Sequence, residues 1–405
     1  MGPSPGNLVA LITGTYSQVG TIDAEREQVP FRLLTADGDV FEFAYSSPRK
    51  AAEHDEMAVI SDLPWFESGK ALKNWVLHDT DMYDEVEQVW GRRWGAEGIG
   101  RLREVLVSRP TQNEIRKEYA QEWQYYYSTT AENADLGKMQ AEFDEYYETL
   151  ENHGVRVHYI EPPVPAIGAY GYLKNLVTLA GGGLVVRGGA IVHRMGLGSW
   201  QRGREVIWSK ILTALQIPIY LTVHGRGIAE VGAGRWLDSQ TFVFNNSTVG
   251  NAEGLRQVEF VLENLGIEFI KTFSPGWVDH HEGGKVGTQQ ADMFLLVPDE
   301  RVCVLAPHLV DYEFVRELFR RGFDVIEVPV DEYWDLATNG ITLEPGKILT
   351  NVGSPTVVKE LERRDIEVLQ LGFTESHRFA LAGLHCATLE LVRDQPGSSV
   401  GTEEP

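Results

Sequence analysis

Cys303 and Cys386 are the two thiols in the 405-residue chain, so each can be weighed as a nucleophile. Cys386 stands in Ala-Gly-Leu-His-Cys-Ala-Thr-Leu-Glu-Leu, after a glycine-containing loop and at the start of a β-rich run. A thiol fed by a loop and backed by a strand is open to a cleft and rigidly held, as covalent catalysis requires. A buried core cysteine is the commoner fate of a lone Cys, and position alone favours that outcome. Cys303 lies among Val302, Val304 and Leu305, mid-strand, where the core reading stands. His280, His281 and Glu282 have no further ligand at metal-site spacing, and no HExxH pattern occurs.

The elements that must position such a thiol can be read from periodicity. Five helix-period segments each run into a short β-rich segment. FDEYYETLENHG leads to VRVHYIEPP, WQRGREVIWSKILTALQ to IPIYLTV, and NAEGLRQVEFVLENLG to IEFIKTF. VDYEFVRELFRRG leads to FDVIEVPV, and TVVKELERRD to IEVLQLGF. In the third helix Leu255, Val258, Val261, Leu262 and Leu265 share one face. A strand–turn–strand signal follows each pair except the last, where CATLELVRD supplies one strand only. GRLREVLVSRP at 100–110 is its natural partner, which predicts a closed ring of five α/β units without exposed sheet edges. The competing arrangement, an open doubly wound sheet, lacks the G-x-G-x-x-G loop expected after its first strand.

Composition narrows the partners. The chain has 59 acidic and 36 basic residues, a net charge of −23. That balance excludes a nucleic-acid binder and an anionic membrane surface as first expectations. Hydrophobic content of 43% is that of a globular protein. Two cysteines make no disulfide framework, so a reducing compartment, the cytoplasm, is expected. The opening MGPSPGNLVALITG lacks a basic n-region, and LVTLAGGGLVVRGGAIV is broken by five glycines and Arg187, so neither a signal nor a transmembrane helix is expected.

Residues 1–95 stand outside the repeat. FRLLTADGDVFEFAYSS reads as a hairpin turning near Asp37-Gly38, followed by short helices and loops rich in Trp, Asp and Glu. The expected organisation is therefore an N-terminal extension over 1–95, an α/β domain over 96–395 and a polar tail over 396–405. Gly181–Gly183 reads as a flexible hairpin turn. Trp123, Tyr125, Tyr126 and Tyr127 read as a packing face. Glu142, Asp144, Glu145, Glu148 and Glu151 read as a solvated helix face.

Taken together, the helix–strand–hairpin units and the Cys386 loop resemble the guanidine-modifying superfamily of amidinotransferases, arginine deiminases and dimethylarginine hydrolases. That family ends in Gly-Gly-x-His-Cys-x-Thr, here Ala382-Gly383-Leu384-His385-Cys386-Ala387-Thr388. GRLREVLVSRP, GGAIVHRM (with Arg194), HGRGIAEVGAGRWLD, NAEGLRQ and GITLEPGKILT match in order over about 96–395. The resemblance implies a five-bladed α/β propeller, the pentein fold. It further implies a small guanidine or amine substrate, no cofactor or metal, and an amidinotransferase working through a covalent Cys386 intermediate. A guanidine hydrolase or deiminase, a degenerate ligand-binding protein, and a homo-oligomer remain open beside it.

Carried over residue by residue, the resemblance implies Cys386 as nucleophile and Glu230 and Asp292 as clamp carboxylates, with Lys174, Asn175, Asn251, Arg194 and His385 near the substrate. The departures bear more on function. The family's Glu-Gly-Gly-Asp is Glu230-Val231-Gly232-Ala233, and its Arg-Asp pair is Lys174-Asn175. Its His-x-Asp is Gln290-Ala291-Asp292 (or Gln289-Gln290-Ala291, anchored on Phe294), so neither register supplies the general-base histidine. His280 or His281 is a candidate replacement, and His385 is expected to point away from its neighbour, as successive strand residues do. Losing a general base costs on the order of 10²–10⁴ in rate unless something replaces it. An amide-like pocket is suited to a neutral or differently charged substrate.

Overall fold

The computed structural model describes residues 32–34, 40–42, 81–110, 135–161, 182–196, 203–273, 277–279, 285–287, 290–380 and 383–395. The chain opens with strands β1 (Arg32–Leu34) and β2 (Val40–Glu42), helix α1 (Met82–Trp90), strand β3 (Leu102–Ser108), helix α2 (Leu136–Asn152) and strand β4 (Arg156–Glu161). A hairpin–helix–strand unit then recurs. Its first copy is β5 (Gly183–Val186), β6 (Gly189–Val192), α3 (Arg204–Ala214) and β7 (Ile219–Thr222). The second is β8 (Arg235–Asp238), β9 (Thr241–Asn246), α4 (Ala252–Asn264) and β10 (Glu268–Phe273). A small hairpin, β11 (Trp277–Asp279) with β12 (Lys285–Gly287), precedes the third, β13 (Leu295–Asp299), β14 (Val302–Leu305), α5 (Tyr312–Arg320) and β15 (Asp324–Glu327). The fourth is β16 (Ile341–Glu344), β17 (Lys347–Asn351), α6 (Pro355–Glu362) and β18 (Glu367–Leu371), before α7 (Thr374–Ala380) and β19 (Thr388–Arg393).

Each unit obeys one pairing rule. The hairpin is antiparallel, and the strand after the helix joins parallel to the hairpin's second strand: β7 on β6, β10 on β9, β15 on β14 and β18 on β17. A parallel neighbour needs a crossover, and the amphipathic helix supplies it. The sheet order β19-β3-β4-β1-β2 repeats the rule with the chain's two ends, since β19 lies antiparallel to β3 and β4 parallel to it. The expected partnership of CATLELVRD with GRLREVLVSRP is therefore observed. The architecture is mixed α/β, with five small sheets of three or more strands among the described residues.

The helices bury the faces their spacing foretold. On α4, Leu255, Val258 and Leu262 are buried, with Val261 and Leu265 partly so. Two expectations need correcting. Glu142 on α2 is buried rather than solvated: its carboxylate accepts from the backbone N–H of Thr374, Glu375 and Ser376 at 3.1, 2.9 and 3.2 Å, and from the Thr374 hydroxyl at 2.8 Å. It meets the free N–H groups at the start of α7, where a carboxylate is favoured. Asp144, Glu145, Glu148 and Glu151 are exposed. Gly182 and Gly183 are not the hairpin turn either, because the β5–β6 turn is Arg187-Gly188. Gly182 is instead demanded by packing, since a Cβ there would stand 2.4 Å from the Trp208 ring.

The described residues ahead of 96 make contacts with the later elements. The β1–β2 hairpin adds to β4, Trp94 is buried, and Gly95 N–H donates to Leu391 O at 3.1 Å. The Trp123–Tyr127 stripe and the 396–405 tail lie outside the described residues. Among the described residues no helix is long and apolar enough to cross a membrane.

Candidate active site

Cys386 sits in a tight turn, two residues ahead of β19 rather than at its start. Thr388 N–H donates to His385 O at 3.1 Å, and Ala387 N–H reaches Gly383 O and Leu384 O, each at 3.2 Å. Behind the turn the Tyr146 and Thr388 hydroxyls share a 2.6 Å hydrogen bond, and Thr388 Oγ1 also donates to Leu384 O at 2.9 Å. The turn is thus braced from α2. Strand alternation does not apply within a turn, which corrects the expectation that His385 points away. His385 Nδ1 and Cys386 Sγ both reach one oxygen, Asp292 Oδ2, at 2.9 and 3.5 Å.

Asp292 comes from the 3-10 turn Ala291–Met293 before β13, and is fully buried. The third member is Asn339, in the turn Ala337–Asn339 before β16. Its Oδ1 accepts from Cys386 N–H at 3.2 Å, its Nδ2 donates to Cys386 Sγ at 3.2 Å, and its carbonyl accepts from His385 N–H at 3.0 Å. Arg235, the first residue of β8, anchors that turn by donating to Thr338 O at 2.7 Å and Gly340 O at 3.1 Å. Sequence reasoning missed Asn339 and Arg235. The only signal was an Asn-Gly pair ahead of the GITLEPG hairpin, which reads equally as turn chemistry.

Burial sets the electrostatics. The Cys386 thiol is pushed well up, first by desolvation and then by the Asp292 charge, against the opposing hydrogen bonds from Gly383 and Asn339. His385 is pushed down, first by desolvation and then by the Arg235 charge, with Asp292 and Glu390 pulling the other way. Thiol and imidazole are therefore both neutral at rest. Cys303 is buried in β14 and its thiol is pushed up to about 12, mainly by desolvation, so it is an inert core residue.

Glu230 and Gln290 form a second polar pair. Glu230, 1% exposed, lies just before the Val231–Ala233 turn. Its Oε1 accepts from Gly196 N–H at 2.9 Å, and its Oε2 from Gln290 Nε2 at 3.1 Å. Gln290 and Asp292 flank Ala291 on one short turn, so that turn links the Glu230–Gln290 pair to the thiol. Arg194 and Asn251 support this region from the side. Arg194 pairs across to Ala229 and donates to Gly227 O at 2.9 Å. Asn251 caps α4: its Oδ1 accepts from Gly254 and Ile228 N–H, and its Nδ2 donates to Arg226 O at 2.8 Å. The structure spends these two side chains on backbone, which is a positioning arrangement. Lys174, Asn175, Gln289, His280 and His281 lie outside the described residues.

No protein-family model matches the chain. It is 25% identical over 357 residues to 2-nitroimidazole nitrohydrolase of Mycobacterium sp. (strain JS330), covering 84% of this chain and 93% of that protein. Among solved structures it is similar to DDAH from Pseudomonas aeruginosa complexed with citrulline, with TM-score 0.56 and 18% identity over 71% of this chain and 99% of that one. The N-terminal domain of ArgZ, an arginine dihydrolase of cyanobacteria, gives TM-score 0.58 at 13% identity, covering 71% and 96%. SxtG, an amidinotransferase from Microseira wollei, gives 0.53 at 16%, covering 74% and 97%. At these identities the solved structures establish the fold alone.

Proposed function

We propose that this chain, a member of the guanidine-modifying superfamily with the pentein fold, is a cysteine-dependent hydrolase acting on a neutral, planar substrate. The reacting carbon lies between two nitrogens and bears an anionic leaving group, and 2-nitroimidazole is the first compound to try. The observation behind this is the Gln290–Glu230 hydrogen bond, at the place where the resemblance expects a general acid–base histidine. Cleaving a guanidine requires a proton for the departing amine, and an amide has none to give near neutral pH. Nitrite departs as a stable anion and needs no proton. The curated relative is named for the loss of such a group.

In this reading Cys386 sulfur attacks the ring carbon, the carbon–nitro bond breaks, and its electron pair leaves with nitrite. Water then attacks the same carbon, the carbon–sulfur bond breaks, and the thiol is restored as the hydroxylated ring departs. Gln290 offers both a donor and an acceptor to a neutral ring, while Glu230 and Gly196 hold it in place.

An amidinotransferase acting on an arginine-type donor is the second reading. Retention of the carboxylates Glu230 and Asp292 and the fold likeness to SxtG favour it. Incubation with 2-nitroimidazole, with nitrite measured, separates the two. Nitrite release that disappears in Cys386→Ala supports the first. Turnover of arginine to ornithine, citrulline or ammonia without nitrite release sinks it.

The same reading takes the five sheets as blades of a closed propeller over 96–395, with β19 and β3 sharing a blade and 1–95 packed on it. The two free thiols fit a cytoplasmic setting.

A further inference from the structure

We infer that Asp292 is the base that takes the Cys386 thiol proton as the sulfur attacks, with His385 as the residue that positions it. The inference rests on the reading of Cys386 as the nucleophile. A thiol that is neutral at rest cannot attack until it finds an acceptor. Gln290 supplies none, and the carboxylate oxygen of Asp292 stands 3.5 Å from the sulfur.

Three features of the geometry and surroundings suit Asp292 to take that proton. Asp292 Oδ1 is buried with no hydrogen-bond partner among the described residues, an expensive state for a carboxylate with a purely structural role. His385 donates Nδ1–H to Oδ2 at 2.9 Å, while its own backbone N–H is tied to Asn339, so the oxygen is aimed at the turn that carries the thiol. Burial and Arg235 lower the basicity of the imidazole, so with its Nδ1–H turned to Asp292 it is a donor there and a weak competitor for the thiol proton. Asn339 Nδ2, donating to sulfur, favours the thiolate as it forms.

The step balances. The sulfur–carbon bond forms as the S–H bond breaks, the proton passes to the Asp292 carboxylate, and the leaving group takes the electrons of its bond to carbon. The proton is released to solvent with the product. The charged and titratable groups facing this centre are Arg235 on β8, Tyr333 in the turn Tyr333–Asp335, and Glu390 and Arg393 on β19. Tyr333 is pushed far above the neutral range by burial, and Glu390 is pulled below its ordinary value by Arg393 against the burial that is its largest influence, so neither changes charge near neutrality.

Alkylation of Cys386 by iodoacetamide, followed by peptide mass across roughly pH 5 to 9, tests the assignment without any substrate. If Asp292 were only a neighbouring charge, Asp292→Asn would free the thiol to ionise and speed alkylation at neutral pH. As the base, its loss instead slows neutral alkylation on the order of tenfold. The pH-independent span expected of the wild type then becomes a rise of about tenfold per pH unit. His385→Asn, which keeps an N–H toward Oδ2, retains the wild-type profile within about threefold, whereas His385→Phe loses the span. Neutral alkylation of Asp292→Asn at or above the wild-type rate overturns the inference. Should that variant not fold, identical profiles for His385→Asn and His385→Phe overturn it. An intact profile without nitrite release rejects the proposed substrate and leaves the base standing. Nitrite release with the wrong profile does the reverse.

Discussion

Asn339 holds Cys386 at two points, accepting its backbone N–H on Oδ1 and donating Nδ2–H to its sulfur, both at 3.2 Å. One amide thereby sets the sulfur's position and lowers the cost of charging it. Asn339→Ala removes both contacts, and kcat/KM is expected to fall on the order of 10²-fold, the usual effect of losing one preorganised donor. Asn339→Asp keeps the shape and the acceptor but replaces the donor with a negative charge, so its loss is at least as large. Steady-state kinetics, with Tm measured beside them, check this. Activity within a factor of about three of wild type in Asn339→Asp would show that the sulfur does not use the donor.

Gly383 is required by that same amide. A Cβ at position 383 would stand 2.4 Å from Asn339 Oδ1 and 2.8 Å from its Cβ, closer than real contacts allow. Gly383→Ala is therefore expected to displace Asn339 and to reproduce most of the Asn339→Ala defect. Destabilisation should be about 1–3 kcal/mol, as for other overpacked sites. The two changes should be strongly non-additive, because they act on one contact. A double mutant whose losses simply add would contradict the shared cause.

The repeated unit was legible because helix period and strand period alternate with clear glycine and polar breaks, as in the run from Asn251 to Phe273. Cys386 was legible through its loop, and the closing pair β19–β3 through the missing second strand. The Asp292–His385–Asn339 arrangement was not. Its members come from three turns far apart in sequence, and each turn residue has an ordinary local explanation. Strand alternation, applied in the turn before β19 begins, sent His385 the wrong way. Glu142 misled for a similar reason: an acidic helix face looks solvated until another helix begins against one of its residues.

That contact yields a stability prediction. Glu142 satisfies successive N–H groups at the start of α7, and α7 is the helix that precedes the Cys386 turn in sequence. Glu142→Ala leaves those groups with no carboxylate, so unfolding free energy in urea is expected to drop by about 1–3 kcal/mol. Activity should fall too, since the turn hangs from this helix. Glu142→Gln keeps one acceptor oxygen and should recover part of the loss. An Ala variant with unchanged urea midpoint would show that the cap contributes nothing.

Glu97 makes a pH prediction away from the reacting centre. It is 2% exposed, its Oε1 accepts from Arg187 N–H at 2.9 Å, and its Oε2 is without a partner among the described residues. Desolvation, the largest influence, raises its pKa from 4.5 to about 7, against the hydrogen bonds from the Glu97 and Arg187 backbones. In the window between those values the folded chain holds a proton that the unfolded chain releases, so stability falls as pH rises through it. The full difference is about 3 kcal/mol, reached above pH ~7 and absent below pH ~4.5. Glu97→Gln keeps an acceptor for Arg187 and has no proton to lose. Its stability should match wild type near about pH 4 and exceed it by up to about 3 kcal/mol near about pH 8. Urea unfolding at both pH values decides it: a wild-type advantage at the higher pH would mean that the Glu97 charge is stabilised by the fold, contrary to the burial argument.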